Sequence, residues 1–169
     1  MTNIFSKNTV RFIVLLLVQV LVLSHINFMG FVNPYLYILF IILYPIKNNR
    51  MLFILLSFLL GLLVDMFPDS GGIHAAASVT IAFIRPAALK TSFGAVYEHQ
   101  ALKFNSIALG QRITYITLLT FIHHLVLFSL EFFNLSKILL TLKSTLLSSI
   151  FTIILCVLMT ILFSSSNKK

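Results

Sequence analysis

The chain has 169 residues, 59% hydrophobic and only 9% charged, with a mean hydropathy of +1.05 and a formal net charge of +8. A soluble domain carries about 25% charged residues, and twelve basic plus four acidic side chains cannot coat a globule of this size, so a soluble enzyme is excluded. Disorder is excluded by the same figures, because disordered chains are poor in apolar residues.

The composition places the chain in a bilayer, and its length limits the number of crossings. One spanning helix takes about 20 residues, so six fit with short connections and eight leave almost nothing for loops. Strand-built barrels alternate apolar and polar residues, whereas these segments are apolar all round. The expected fold is an all-α, six-transmembrane-helix bundle forming one integral membrane domain over 1–169, with spans near 11–30, 31–46, 51–67, 73–89, 113–130 and 138–163.

The first run, Phe12 to Leu23, follows Lys7 and Arg11 and reads as a retained helix, since no small-x-small cleavage pattern follows it. The second, Tyr35 to Ile46, lies between Pro34 and Lys47; its twelve residues cover only about 18 Å as a helix, short of a hydrocarbon core of roughly 30 Å. Either that helix starts before Pro34 or it does not span alone. The third run, Met51 to Phe67, leads through Pro68-Asp69-Ser70-Gly71-Gly72 into the fourth, Ile73 to Leu89. Residues before proline avoid the helical region, so Arg85-Pro86 predicts a kink or stop. Apolar residues scattered through Thr91 to Arg112 predict a short interfacial helix. The fifth run is Ile113 to Leu130 and the sixth Ile138 to Phe163.

Orientation follows from the lysines and arginines. With the amino terminus inside, Lys7, Arg11, Lys47, Arg50, Arg85, Lys90, Lys103, Arg112, Lys168 and Lys169 are cytoplasmic, and only Lys137 and Lys143 lie opposite. The positive-inside rule therefore predicts both termini in the cytoplasm. Because these cations sit in the gaps between apolar runs rather than on one patch, they mark topology and not a nucleic-acid surface. Anionic lipid is the expected partner of Lys90, Lys103 and Arg112.

Membrane helices associate through small and polar residues, and these recur at helical spacing. Ser57, Gly61 and Asp65 form a stripe on the third helix; Ala75, Ser78, Ala82 and Arg85 form one on the fourth. Thr117, Thr120 and His124 share a face of the fifth, and Ser144, Ser148, Thr152, Cys156 and Thr160 a face of the sixth. The helix-packing candidates are Ser57, Gly61, Asp65, His74, Ser78, Arg85, Ser148 and Thr152. Asp65 and Arg85 fall near the ends of their runs, within reach of interfacial water. The nearly apolar second helix and the outward part of the sixth are candidate docking faces for a partner helix.

His74 follows the Gly71-Gly72 turn and is placed to hydrogen-bond Asp65. His123 and His124 are adjacent, so on a helix they point about 100° apart and cannot share one metal. His25 and His99 are expected at the interface. The lone Cys156 excludes an intramolecular disulfide. No nucleophile elbow, phosphate loop or metal-ligand spacing occurs, so no catalytic residue and no cofactor are expected.

The run Leu59-Leu60-Gly61-Leu62-Leu63-Val64-Asp65-Met66-Phe67, then Pro68-Asp69-Ser70-Gly71-Gly72-Ile73-His74-Ala75-Ala76-Ala77, resembles the rod shape-determining protein MreD family. Asn33-Pro34-Tyr35-Leu36-Tyr37-Ile38-Leu39-Phe40 and Ile81-Ala82-Phe83-Ile84-Arg85-Pro86 are similar to its Bacteroidetes branch. The resemblance covers the chain in size and span count, with its motifs concentrated between Asn33 and Pro86. It implies a non-enzymatic inner-membrane scaffold or regulator of the peptidoglycan-synthesising elongation complex. The partners it implies are MreC, RodA, a class B penicillin-binding transpeptidase and MreB. The family is similar in architecture to the substrate-binding component of energy-coupling-factor transporters, so the alternative expectation is a small-molecule-binding membrane component.

Overall fold

A computed structural model describes residues 2–26, 32–46, 48–94 and 107–165. Among these residues the structure is helical, with no strand: α1 (Thr2–Leu21), α2 (Ile38–Leu43), α3 (Arg50–Asp65), α4 (Ile73–Phe93), α5 (Leu109–Phe132) and α6 (Ile138–Ser165). Three helical stretches, Lys7–His25, Leu109–Phe132 and Ile138–Leu162, are long and apolar enough to cross a membrane, which fits a membrane protein. The segment expected to hold an interfacial helix lies largely at 95–106, outside the described residues, as do His99 and Lys103.

Polarity is arranged inside out. Ser57, Thr120, His123, His124, Ser144, Ser148 and Thr152 are all fully buried. Leu55 and Phe58 on α3 and Leu146, Ile150, Ile154 and Leu158 on α6 are exposed. Hydrocarbon offers no partner to a hydroxyl or imidazole, so a bundle in lipid gains by turning such groups inward.

Consecutive helices α3, α4, α5 and α6 pack each on the next, α1 packs on α3, and α2 is enclosed against α1, α4 and α5. Asn49 starts α3: its Oδ1 accepts the amides of Met51 at 2.9 Å and Leu52 at 3.4 Å, the usual use of an asparagine cap. Gly61 sets the α3–α4 approach. A Cβ there would lie 2.5 Å from the Ala75 Cα and 2.6 Å from the His74 carbonyl oxygen, so only glycine admits the second backbone.

The short α2 has no lipid-facing side. Tyr37, Ile38, Leu39, Phe40, Ile41 and Ile42 are at most 1% exposed. It therefore offers no docking face, contrary to the sequence expectation. Only six residues are helical, flanked by irregular backbone, which a membrane protein tolerates where other helices bury it. Pro86 neither ends nor interrupts α4, which continues to Phe93. The buried face of α5 carries Thr120, His123 and His124, but Thr117 is exposed and does not belong to it.

Candidate functional site

Two polar assemblies hold the ends of the enclosed segment 32–46, and both are built from residues distant in sequence. At one end Asp65, the last residue of α3, reaches the start of α4. Its Oδ1 accepts the His74 amide at 3.0 Å and its Oδ2 the Ala75 amide at 2.8 Å. The cap position of α4 is Gly72, at φ +91°, which has no side chain to serve those amides. A carboxylate from the preceding helix replaces it, and its charge sits where the helix dipole is positive. Oδ1 also accepts the Ser70 hydroxyl at 2.5 Å and the His74 Nδ1–H at 2.8 Å.

This group contains Ser, His and Asp without being a nucleophile relay. In a relay the serine and the carboxylate engage opposite ring nitrogens. Here Ser70 Oγ lies 3.1 Å from the same Nδ1 that Asp65 holds. Its evident work is to tie the 68–72 turn and the α4 start to α3. Among the described residues no three His, Cys, Asp or Glu side chains are grouped to hold a metal ion.

Next to this knot lie the paired histidines. The Tyr37 hydroxyl is 2.7 Å from His123 Nε2, while His123 Nδ1 is buried without a partner. His124 Nδ1–H donates to the Thr120 carbonyl at 2.8 Å. Its Nε2 is then an acceptor for the Thr152 hydroxyl at 3.1 Å, and Thr152 Oγ1 accepts the Tyr35 amide at 3.0 Å. One hydroxyl thus joins α5 and α6 to the backbone before α2. Gln19 completes this end, donating to the Pro34 carbonyl at 3.2 Å and accepting the Tyr37 amide at 3.4 Å.

Arg85 holds the other end. Its Nη2 donates to the carbonyls of Ile42, at 3.2 Å, and Tyr44, and its Nε donates to the Tyr115 hydroxyl at 2.8 Å. The Tyr115 hydroxyl in turn donates to the Ile42 carbonyl at 3.3 Å, and Arg11 donates to that of Leu43 at 3.2 Å. These are carbonyls that a helix leaves unpaired at its C-terminus. The Phe53 ring lies under the guanidinium, 4.9 Å from its carbon.

The sequence placed Asp65 and Arg85 within reach of interfacial water; each is instead only 4% exposed. They are buried because each holds backbone groups at a helix terminus. Asp65 and His74 meet, Ser78 lies beside Tyr37, and Thr152 joins the same end. Ser57 Oγ donates to the Phe53 carbonyl of its own helix at 2.8 Å. Ser148 is buried on α6 without a side-chain partner. Sequence reasoning missed the parts that Gln19, Tyr35, Tyr37 and Tyr115 play. The available signal was that each is a polar residue in an otherwise apolar run.

A cavity of about 560 Å³ opens at the acidic end, lined among others by Asn33, Tyr35, Asp69, Ser70, His74 and Glu131. No family model, curated protein or solved structure matches this chain.

Proposed function

We propose that the chain is a six-span inner-membrane scaffold of the cell-elongation complex with both termini cytoplasmic, acting with MreC as the resemblance to the MreD family implies. RodA, a class B penicillin-binding transpeptidase and MreB are its further partners in this reading. The observation that carries it is the use of charge within the bundle. Asp65 and Arg85, the residues that would serve a transport or catalytic step, both hold helix backbone. The orientation is supported by charge segregation: Arg11, Arg50 and Arg85 gather at the Tyr44 end, and Asp65, Asp69 and Glu131 at the other. Depletion in the source bacterium should round the cells, and a tagged copy should retain MreC after mild detergent extraction. Rod-shaped depleted cells together with no retained MreC overturn the proposal.

The cavity at the acidic end favours a second reading, a small-molecule-binding component. Its volume lies within the roughly 300–1,000 Å³ of ordinary ligand sites. Native mass spectrometry of the purified chain separates the two, because this reading requires a discrete small molecule that survives purification.

A further inference from the structure

Arg85 is 4% exposed, yet among the described residues no carboxylate pairs with it. Among the described residues the one ion pair is Asp65 with His74, at the opposite end of the bundle. The partners of Arg85 are two carbonyls, a phenol hydroxyl and the face of the Phe53 ring, none of which carries a net charge. A helix terminus supplies the equivalent of about half an elementary charge, and α2 is only six residues long. A buried cation left without a counter-charge is costly in a low-dielectric interior.

The guanidinium is not fully used, and Arg85 borders a cleft. Nε and Nη2 are engaged, Nη1 makes no hydrogen bond among the described residues, and the cleft holds about 100 Å³. Arg50, which has no carboxylate partner among the described residues either, lines the same cleft. It is held against the Phe83 ring at 5.3 Å and donates to the Phe83 carbonyl at 3.5 Å. Asn48 adds a polar edge, while Ile46, Phe53, Pro86 and Leu89 make the remaining wall apolar. Pro86 contributes backbone chemistry as well: it has no N–H for the Ala82 carbonyl one turn earlier, and Ala82 is also in the lining.

Two guanidiniums fixed by aromatic rings, in a cleft with room for a tetrahedral oxyanion and an apolar wall beside it, suit a phosphate group. Arginine forks match phosphate oxygens geometrically. We propose that this cleft is a phosphate-group site, with Arg85 supplying the buried charge and Arg50 closing over it. The phosphate is carried by an acidic lipid headgroup or is free in solution. The assignment is independent of the scaffold reading.

The test uses the full chain in two arms. In the first, protein in mixed phosphatidylglycerol and phosphatidylcholine micelles is examined by native mass spectrometry for retained phosphatidylglycerol. In the second, thermal unfolding in phosphatidylcholine alone is compared in inorganic phosphate and in chloride at equal ionic strength. Retention only in the first arm assigns the phosphate to a lipid; stabilisation in the second shows that free phosphate suffices. Arg50→Gln is exposed and spares the α2 anchor, and it should lower the positive response about tenfold, the loss of roughly one charge-assisted contact. Lys137→Gln, on the far connection, should leave it unchanged. No response in either arm, or equal losses in the two variants, overturns the site.

Discussion

Asp65 and Ala75, ten residues apart and on different helices, are joined by a 2.8 Å hydrogen bond from the Ala75 amide to the Asp65 carboxylate. The bond exists because Gly61, one turn before Asp65, lets the two backbones come close enough. The stripe on α3 therefore works as a unit: a glycine for approach, then a carboxylate for the end of the helix approached.

Gly61→Ala should destabilise the protein by about 1–3 kcal/mol, the usual cost of overpacking, because the new methyl meets backbone rather than a movable side chain. Leu62→Phe, on the exposed side of α3, should be close to neutral. Unfolding in detergent micelles measures both. Equal stability of the two variants would show that α3 and α4 separate without cost.

Replacing Asp65 with alanine strips the start of α4 of its cap and leaves two buried amides without acceptors. The expected loss is about 2–3 kcal/mol. Asp65→Asn should fall between, since an amide has one acceptor oxygen where the carboxylate has two. Hydrogen exchange at His74 and Ala75 reports the effect directly, and unchanged protection in Asp65→Ala would refute it.

Arg85→Lys keeps the charge but not the fork. A lysine amine cannot hold the Ile42 and Tyr44 carbonyls and the Tyr115 hydroxyl together, and each lost bond to a charged group costs about 1.5–3 kcal/mol. Faster amide exchange near the end of α2 and a lower unfolding midpoint are expected. A lysine variant as stable as the parent would mean that charge alone suffices there.

Thr152→Val preserves shape and removes the hydroxyl that links the Tyr35 amide to His124. It should cost about 1–3 kcal/mol by leaving buried polar groups unmatched, whereas Thr152→Ser should retain most of the stability. If valine and serine behave alike, the link contributes nothing.

Topology has a direct chemical assay, since Cys156 is fully buried and gives little background to a membrane-impermeant maleimide. Asp69→Cys should be labelled from the periplasm in intact cells, and Asn48→Cys only after lysis. The reverse pattern would invert the proposed orientation.

The helix seams are legible because polar residues are scarce in this chain, so spacings of three or four stand out, as at Ser57, Gly61 and Asp65. Asp65 with His74 is legible too, because a short glycine turn brings the ends of adjacent helices together. What spacing cannot show is a partner far along the chain. Arg85 looks interfacial from its place in the run, and only the arrival of the Ile42 and Tyr44 carbonyls, more than forty residues earlier, explains its burial. Thr117 shares the helical spacing of Thr120 and His124 but falls outside the buried arc of α5. Pro86 is misleading because a helix packed on both neighbours continues past one missing hydrogen bond.

The anchoring of segment 32–46 sets an order of biogenesis. Tyr35 and Thr152 are separated by 117 residues, which a ribosome adding about 5–20 residues per second takes on the order of ten seconds to make. Through that interval the segment has been made while Thr152, which carries its acceptor hydroxyl, does not yet exist. The clamp from Arg85 is also made 43 residues after Ile42. The centre of the bundle is thus among the first parts translated and the last to be closed.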